Sequence, residues 1–126
     1  MSNLLISLTP KFTSHPPHCK IYCSDHLIYD SIVSKQVDIE YDFNFDRKFA
    51  VKIIKSGKTM DIAKKQHEQV IQIDKIKLNG IDLKSKELGK FETKNNPFVD
   101  DHTLSTNLLT LNGDWHLELP FIPLVG

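Results

Sequence analysis

The clearest pattern in the chain runs from Val37 to Phe45. Val37, Ile39, Tyr41, Phe43 and Phe45 alternate with Asp38, Glu40, Asp42 and Asn44, and Asp46 continues the polar set. A period of two predicts a strand with one face in a core and the other toward water or a partner. Phe49, Val51 and Ile53 follow after Asp46-Arg47-Lys48. They predict a returning strand that pairs Phe43 with Val51, Tyr41 with Ile53 and Asp42 with Lys52.

A second strong signal lies in Gln69–Lys84, QVIQIDKIKLNGIDLK. Asn79-Gly80 is a hairpin turn pair, because both positions of a type I′ turn need positive φ. Pairing outward from it sets Leu78 against Ile81 and Ile76 against Leu83 on one face, and Lys77 against Asp82 on the other. Ile71 and Ile73 have the opposite parity from Ile76 and Leu78. One extra residue near Asp74-Lys75, a β-bulge, brings all four to one side; the alternative is a strand buried on both faces. Gly57, in contrast, is read as an ordinary glycine that tolerates a side chain better than Gly80 does.

Shorter elements fill the rest. Leu4 to Leu8 predicts a first strand closed by Thr9-Pro10. In His18 to Cys23, Cys19, Ile21 and Cys23 point inward. Ser24-Asp25-His26 then turns the chain so that Ile21 meets Tyr29 and Cys23 meets Leu27. Asp61 to Gln66 allows a helical turn or two after an Asp61 cap. Residues 85–102 read as loop-rich, with Asn95-Asn96-Pro97 and Asp100-Asp101 as breakers. Leu108–Leu111 and Trp115–Leu119 read as a last hairpin with Gly113 in the left-handed region, pairing Leu111 with Trp115 and Leu109 with Leu117. Alternation with Leu117 and Leu119 makes Trp115 a core residue rather than a sugar-stacking platform. Pro120 and Pro123 keep the tail PFIPLVG extended. The expected fold is all-β over residues 1–126 as a single domain: an antiparallel β-sandwich of jelly-roll type with at most one short helix. A barrel is the competing architecture.

Composition narrows the function. Sixteen Lys+Arg balance sixteen Asp+Glu, and Arg47 is the one arginine. That argues against nucleic-acid binding, which calls for a basic excess and favours arginine. Zero net charge suits a protein that lives in an assembly. No apolar run is long enough for a membrane span, and MSNLLISLTP lacks the basic start of a secretory signal. The chain is expected to stay in the cytoplasm where it is made, unless it leaves inside a larger particle. Cys19 and Cys23, four apart on a strand, lie about 13 Å apart, beyond disulfide reach. They are read as reduced and buried.

Candidate chemistry is sparse. His15, His18, Cys19, Cys23 and His26 are zinc-ligand types but fit no finger spacing, and read as buried cysteines and surface histidines. Asp38, Glu40, Asp42 and Asp46 have neighbours about 6.6 Å apart, within the inverting-glycosidase range, yet such alternation is how any solvated strand face looks. No GxSxG, HExxH or phosphate-binding loop occurs, and no Ser and His are arranged as a triad, so an enzyme is not expected. Tyr22 and His18 form an exposed pair. Asp100, Asp101 and Asp114, in loops beside the expected last hairpin, are the calcium candidates; as plain turn residues they need no metal.

Two resemblances attach to these stretches. KIYCSDHLIYD, VDIEYDFNF, FAVKIIKSGK and VIQIDKIKLNGIDL, within residues 18–84, resemble the small jelly-roll carbohydrate-binding modules, notably calcium-dependent xylan-binding ones. Their strand pattern V-x-V-D-x-I-x-V-N-G is met in Val70 to Gly80 at Asp74, Ile76, Asn79 and Gly80. This resemblance implies glycan binding with calcium as the cofactor, held by Asp100, Asp101 and Asp114. The opening strand, the link His15-Pro-Pro-His18, the KIY hairpin and the late Asn112 to Trp115 resemble small structural proteins of marine tailed phages. That resemblance, the first choice of the two, implies a non-catalytic virion component: a decoration, neck or fibre-associated protein. It would be made in the host cytoplasm and bind other virion proteins as a homo-oligomer, with adhesion to surface glycans, no cofactor, no nucleic acid and no membrane insertion. Its expected interfaces are the Asp38, Glu40, Asp42 face and the tail Phe121 to Val125.

Overall fold

The computed structural model describes residues 2–44, 49–57, 69–84, 88–93 and 103–119. Its elements are β1 (Ser2–Phe12), β2 (His18–Cys23), β3 (His26–Ile32), β4 (Val37–Phe43), β5 (Phe49–Ser56), β6 (Gln69–Leu78), β7 (Ile81–Asp82), β8 (Lys90–Thr93), β9 (Thr103–Ser105), β10 (Leu108–Leu109) and β11 (Gly113–Leu119). One sheet has the order β10-β6-β1-β4, with β7 also on β6. The other has the order β3-β2-β5-β11-β8-β9. All pairings are antiparallel. The two sheets pack face to face as a β-sandwich.

The inward residues of both sheets make one core. Leu4, Ile6, Leu8, Ile71, Ile73, Ile76 and Leu78 come from the first sheet, and Cys19, Ile21, Val51, Ile53, Phe91, Trp115 and Leu117 from the second. Each fully buried Leu or Ile contributes ~1.5–3 kcal/mol relative to exposure. Trp115 belongs to this core, with its indole Nε1 donating to the Thr106 carbonyl at 2.7 Å. Lys55 continues the inward row of Val51 and Ile53 and is buried. Its stem packs with the apolar side chains, and its ammonium donates to Gln69 Oε1 at 3.1 Å.

The β6–β7 hairpin forms as its sequence requires. Asn79 and Gly80 take φ of 53° and 82°, Lys77 faces Asp82, and Leu78 faces Ile81. Against β1 the register skips Asp74: Ser7 faces Lys75 and Leu8 faces Ile73. This bulge puts Ile71, Ile73, Ile76 and Leu78 all in the core, and a strand buried on both faces is not needed. The first strand runs longer than Leu4 to Leu8, through Pro10 to Phe12. Pro10 is tolerated because β4 has already ended opposite Leu8, which leaves that side of β1 without a ladder partner to serve.

Four expectations need correction. The β2–β3 turn has two residues, not three: Ser24 and Asp25 both take positive φ, and Cys23 faces His26. Ile21 still meets Tyr29, because a register shift between Ile21 and Tyr22 absorbs the extra residue. Second, β4 and β5 are not a hairpin. β4 pairs with β1, while β5 lies between β2 and β11 in the other sheet. Phe43 and Phe49 stack across the sandwich at 5.8 Å instead. Third, β10 and β11 likewise belong to different sheets. Gly113 is the first residue of β11, where a Cβ would crowd the Glu92 carbonyl and sit 2.9 Å from the Phe91 ring. Fourth, Gly57 has φ of +103°, so it is as conformationally constrained as Gly80. Within the loop-rich stretch 85–102, the described residues include the four-residue β8. The short helix expected from Asp61, the turn at Asp46-Arg47-Lys48 and the tail from Pro120 lie outside the described residues.

Candidate functional site: the outward face of the six-stranded sheet

The strand order β2-β5-β11-β8 brings together outward side chains from four distant parts of the chain. In one row Tyr22 faces Lys52, Lys52 faces His116 and His116 faces Lys90. The neighbouring row is Lys20, Ile54, Asp114 and Glu92. On the other side of the first row Ala50 faces Glu118, and Ser24 donates its N–H to the Ala50 carbonyl at 2.8 Å. Rows are about 6.6–6.8 Å apart along the strands, and columns about 4.8 Å apart across them. The short side chain of Ala50 leaves room between its taller neighbours. The result is a trough of about 500 Å³. Its walls include Tyr22, Ser24 and Asp25 on one side and Glu92, Asp114, His116 and Glu118 on the other, with Ala50, Lys52 and Ile54 between them.

The trough is polar but structured. Lys52 Nζ lies 3.5 Å from Asp114 Oδ2, which fixes two of its charges relative to each other. Tyr22 presents the aromatic surface, and Leu27, its cross-strand neighbour on β3, is half exposed beside it. Beyond the trough His18 Nε2 meets Asp30 Oδ1 at 2.7 Å, and Ser56 Oγ stands 3.4 Å from His18 Nδ1. Such a set of rigid, outward-pointing donors and acceptors with one ring can bind a hydroxyl-rich ligand by hydrogen bonds and stacking.

Of the sequence candidates, Asp114 stands in the trough, on strand β11 and not in the hairpin loop expected for it. Asp100 and Asp101 lie outside the described residues. Among the described residues no group of three or more His, Cys, Asp and Glu side chains is placed to hold a metal ion. Cys19 and Cys23 point into the core as free thiols. Burial, with the nearby Asp30 charge, pushes the Cys19 thiol up to about 12. Burial raises Cys23 to about 11 against the opposing hydrogen bond with Ser24. Asp38, Glu40 and Asp42 lie on the exposed face of the other sheet, as a solvated strand face does. Hydrogen bonds from Ser7 Oγ at 2.6 Å and Gln36 Nε2 at 2.8 Å hold the Asp38 carboxyl below the usual carboxylate range. Lys52, Ile54, Glu92, His116 and Glu118 were not singled out from the sequence. Each is one polar or apolar position in a separate strand, and only the sheet order makes them neighbours.

Comparison with solved structures gives the fold its class. The chain superposes on the carbohydrate-binding module vCBM60 in its selenomethionine form with a TM-score of 0.64. The match covers 93% of this chain and 90% of that one at 8% identity. It matches vCBM60 in complex with galactobiose at the same TM-score and identity, covering 99% of that chain. vCBM60 was studied as a link, by circular permutation, between two families of calcium-dependent carbohydrate-binding modules. No protein-family model and no curated protein sequence matches this chain. The likeness establishes the fold alone: a jelly-roll β-sandwich like that of vCBM60. Among the described residues no helix is long and apolar enough to cross a membrane, which leaves strand-built spans unaddressed.

Proposed function

We propose that this protein is a non-catalytic glycan-binding module and that the trough on the six-stranded sheet is its binding surface. The observation that carries this reading is the trough itself: polar side chains and one tyrosine held on four hydrogen-bonded strands, in a fold shared with vCBM60. A sheet face is a rigid platform, so little ordering cost is added on binding. The hydroxyls of a sugar match the carboxylates, Lys52 and His116, and a pyranose face matches the Tyr22 ring.

The test is calorimetric titration with neutral oligosaccharides, galactobiose among them, in the presence of calcium and of chelator. Binding that Tyr22→Ala and His116→Ala each weaken at least tenfold, with unchanged unfolding midpoints, supports the reading. Absence of binding in both media, across a broad glycan array, overturns it. Calcium enters the reading through Asp100, Asp101 and Asp114: a thermal shift with millimolar calcium that Asp101→Ala abolishes places the ion there.

A second reading, assembly into a phage virion, draws on edge strand β3, which exposes Leu27 by 50% and Ile32 by 57%. An edge strand with exposed apolar side chains suits a protein partner. A mass-spectrometric census of purified particles that lacks this chain sinks it.

A further inference from the structure

The trough has a charge that its parent chain does not. The whole protein is neutral by formal count. Among the described side chains lining the trough, Asp25, Glu92, Asp114 and Glu118 stand against the single ammonium of Lys52. The described lining therefore carries a formal charge of −3 with His116 neutral and −2 with it protonated. Protonation of His116 does not change the sign.

The arrangement of these charges matters as much as their number. Asp114 and Glu118 are on one strand, four residues apart, about 13 Å along the trough floor. Glu92 stands directly across from Asp114 on the neighbouring strand. Among the described residues, two other lysines share this sheet face. Lys90 turns its ammonium to Ser105 Oγ at 2.6 Å, toward β9 and away from β11. Lys20 stands opposite Asp30 on β3. The negative field is thus spread along the length a short oligosaccharide would occupy; Lys20 and Lys90 lie at its margins, and Lys52 within it is paired with Asp114. Like-charge approach in a partly walled cleft is penalised more than on open surface.

From this charge pattern, and resting on the glycan-binding reading above, we infer that the trough selects saccharides bearing free amines and rejects acidic ones. The ligand class is an oligosaccharide of 2-amino sugars, whose ammonium groups meet Glu92, Asp114 and Glu118 while the ring face rests on Tyr22. Uronic or sulfated sugars place anions against the same carboxylates. Lys52, already within 3.5 Å of Asp114, does not compensate them.

The experiment titrates the full chain with three oligosaccharides of matched length: a glucosamine oligomer, its fully N-acetylated twin and a galacturonic acid oligomer. The pH is held below the amine's own titration. The glucosamine oligomer is expected to bind at least tenfold more tightly than its acetylated twin at low salt, with the advantage shrinking as salt is added. The galacturonate oligomer is expected to bind more weakly than either. A Glu92→Gln, Glu118→Gln double variant should lose most of the preference between the twins. Glu40→Gln, on the other sheet, should leave the preference intact. Equal affinity for the twins, tighter binding of the acidic oligomer, or an equal loss from Glu40→Gln overturns the inference while leaving the glycan reading standing. Failure to bind any saccharide overturns both.

Discussion

The indole of Trp115 packs directly on Gly89: a Cβ built on Gly89 would clash with its Cζ2 and lie 2.5 Å from its Nε1. The contact joins the segment before β8 to the centre of β11, beneath the floor of the trough. Gly89→Ala therefore forces either the indole or the β8 backbone to move. The expected cost is about 1–3 kcal/mol, as for other overpacked cores. A urea melt checks it, and a midpoint equal to that of the wild-type protein refutes the packing described here. Trp115→Phe should also destabilise, through the lost donor to Thr106 and the smaller ring.

Gly57→Val and Gly80→Val should both lower the melting temperature. Both glycines have φ in the left-handed region, where a β-branched residue is strained. At Gly80 the space around the position is open, so the penalty is conformational alone. At Gly57 a side chain also meets Gln69 and the His18 backbone at 3.7 Å. A Gly57 variant as stable as wild type, beside a destabilised Gly80 variant, would contradict this backbone description.

Gln69 links Lys55 to the backbone around it. Its carbonyl oxygen accepts from Lys55, and its amide donates to the His15 and Gly57 carbonyls at 3.1 and 3.3 Å. Gln69→Leu removes one acceptor from a buried ammonium and two donors from carbonyls. The expected loss is at least ~1–3 kcal/mol, from buried polar groups losing their partners. Chemical denaturation of the variant measures it directly.

The two core thiols make stability fall in alkali. Each is held protonated in the folded state, at about 12 for Cys19 and about 11 for Cys23, against 9.0 ordinarily. Their contribution is fully present below the unfolded value and is lost as pH rises through the folded values, because the unfolded chain releases these protons first. The urea midpoint should decline above pH about 9, and less steeply in a Cys19→Ala, Cys23→Ala variant compared with its own neutral-pH value. In the native state both thiols should resist iodoacetamide, which needs an accessible thiolate.

Asp38 has the opposite sign. Its carboxyl titrates below the usual range because Ser7 and Gln36 donate to it. The stabilisation is present above the unfolded carboxylate value and is lost as pH falls through the folded one. Ser7→Ala should raise the Asp38 titration midpoint, as followed by carboxyl-carbon NMR. An unmoved midpoint would show that the Ser7 hydroxyl does not bond this carboxylate.

Local rules made much of this protein legible from its sequence. Two-residue alternation marked β2, β4, β5 and β11 because half-buried strands must alternate. Asn79-Gly80 marked its hairpin because few other residue pairs accept two positive φ values in succession. Parity between Ile73 and Ile76 required a bulge at Asp74-Lys75 once one face had to be apolar. Strand partners across long separations were another matter. Phe43 fits opposite Val51 as well as it fits in a different sheet stacked on Phe49, and the Asp42–Lys52 charge match does not discriminate, since Asp42 takes Asn3 and Lys52 takes Asp114. β8 is four residues long, too short for a period to declare itself. The trough depends wholly on those long-range choices: Tyr22, Lys52, His116 and Glu92 become neighbours because β5 and β11 lie between β2 and β8, and the burial of two whole sheet faces, rather than any local preference, decides that order.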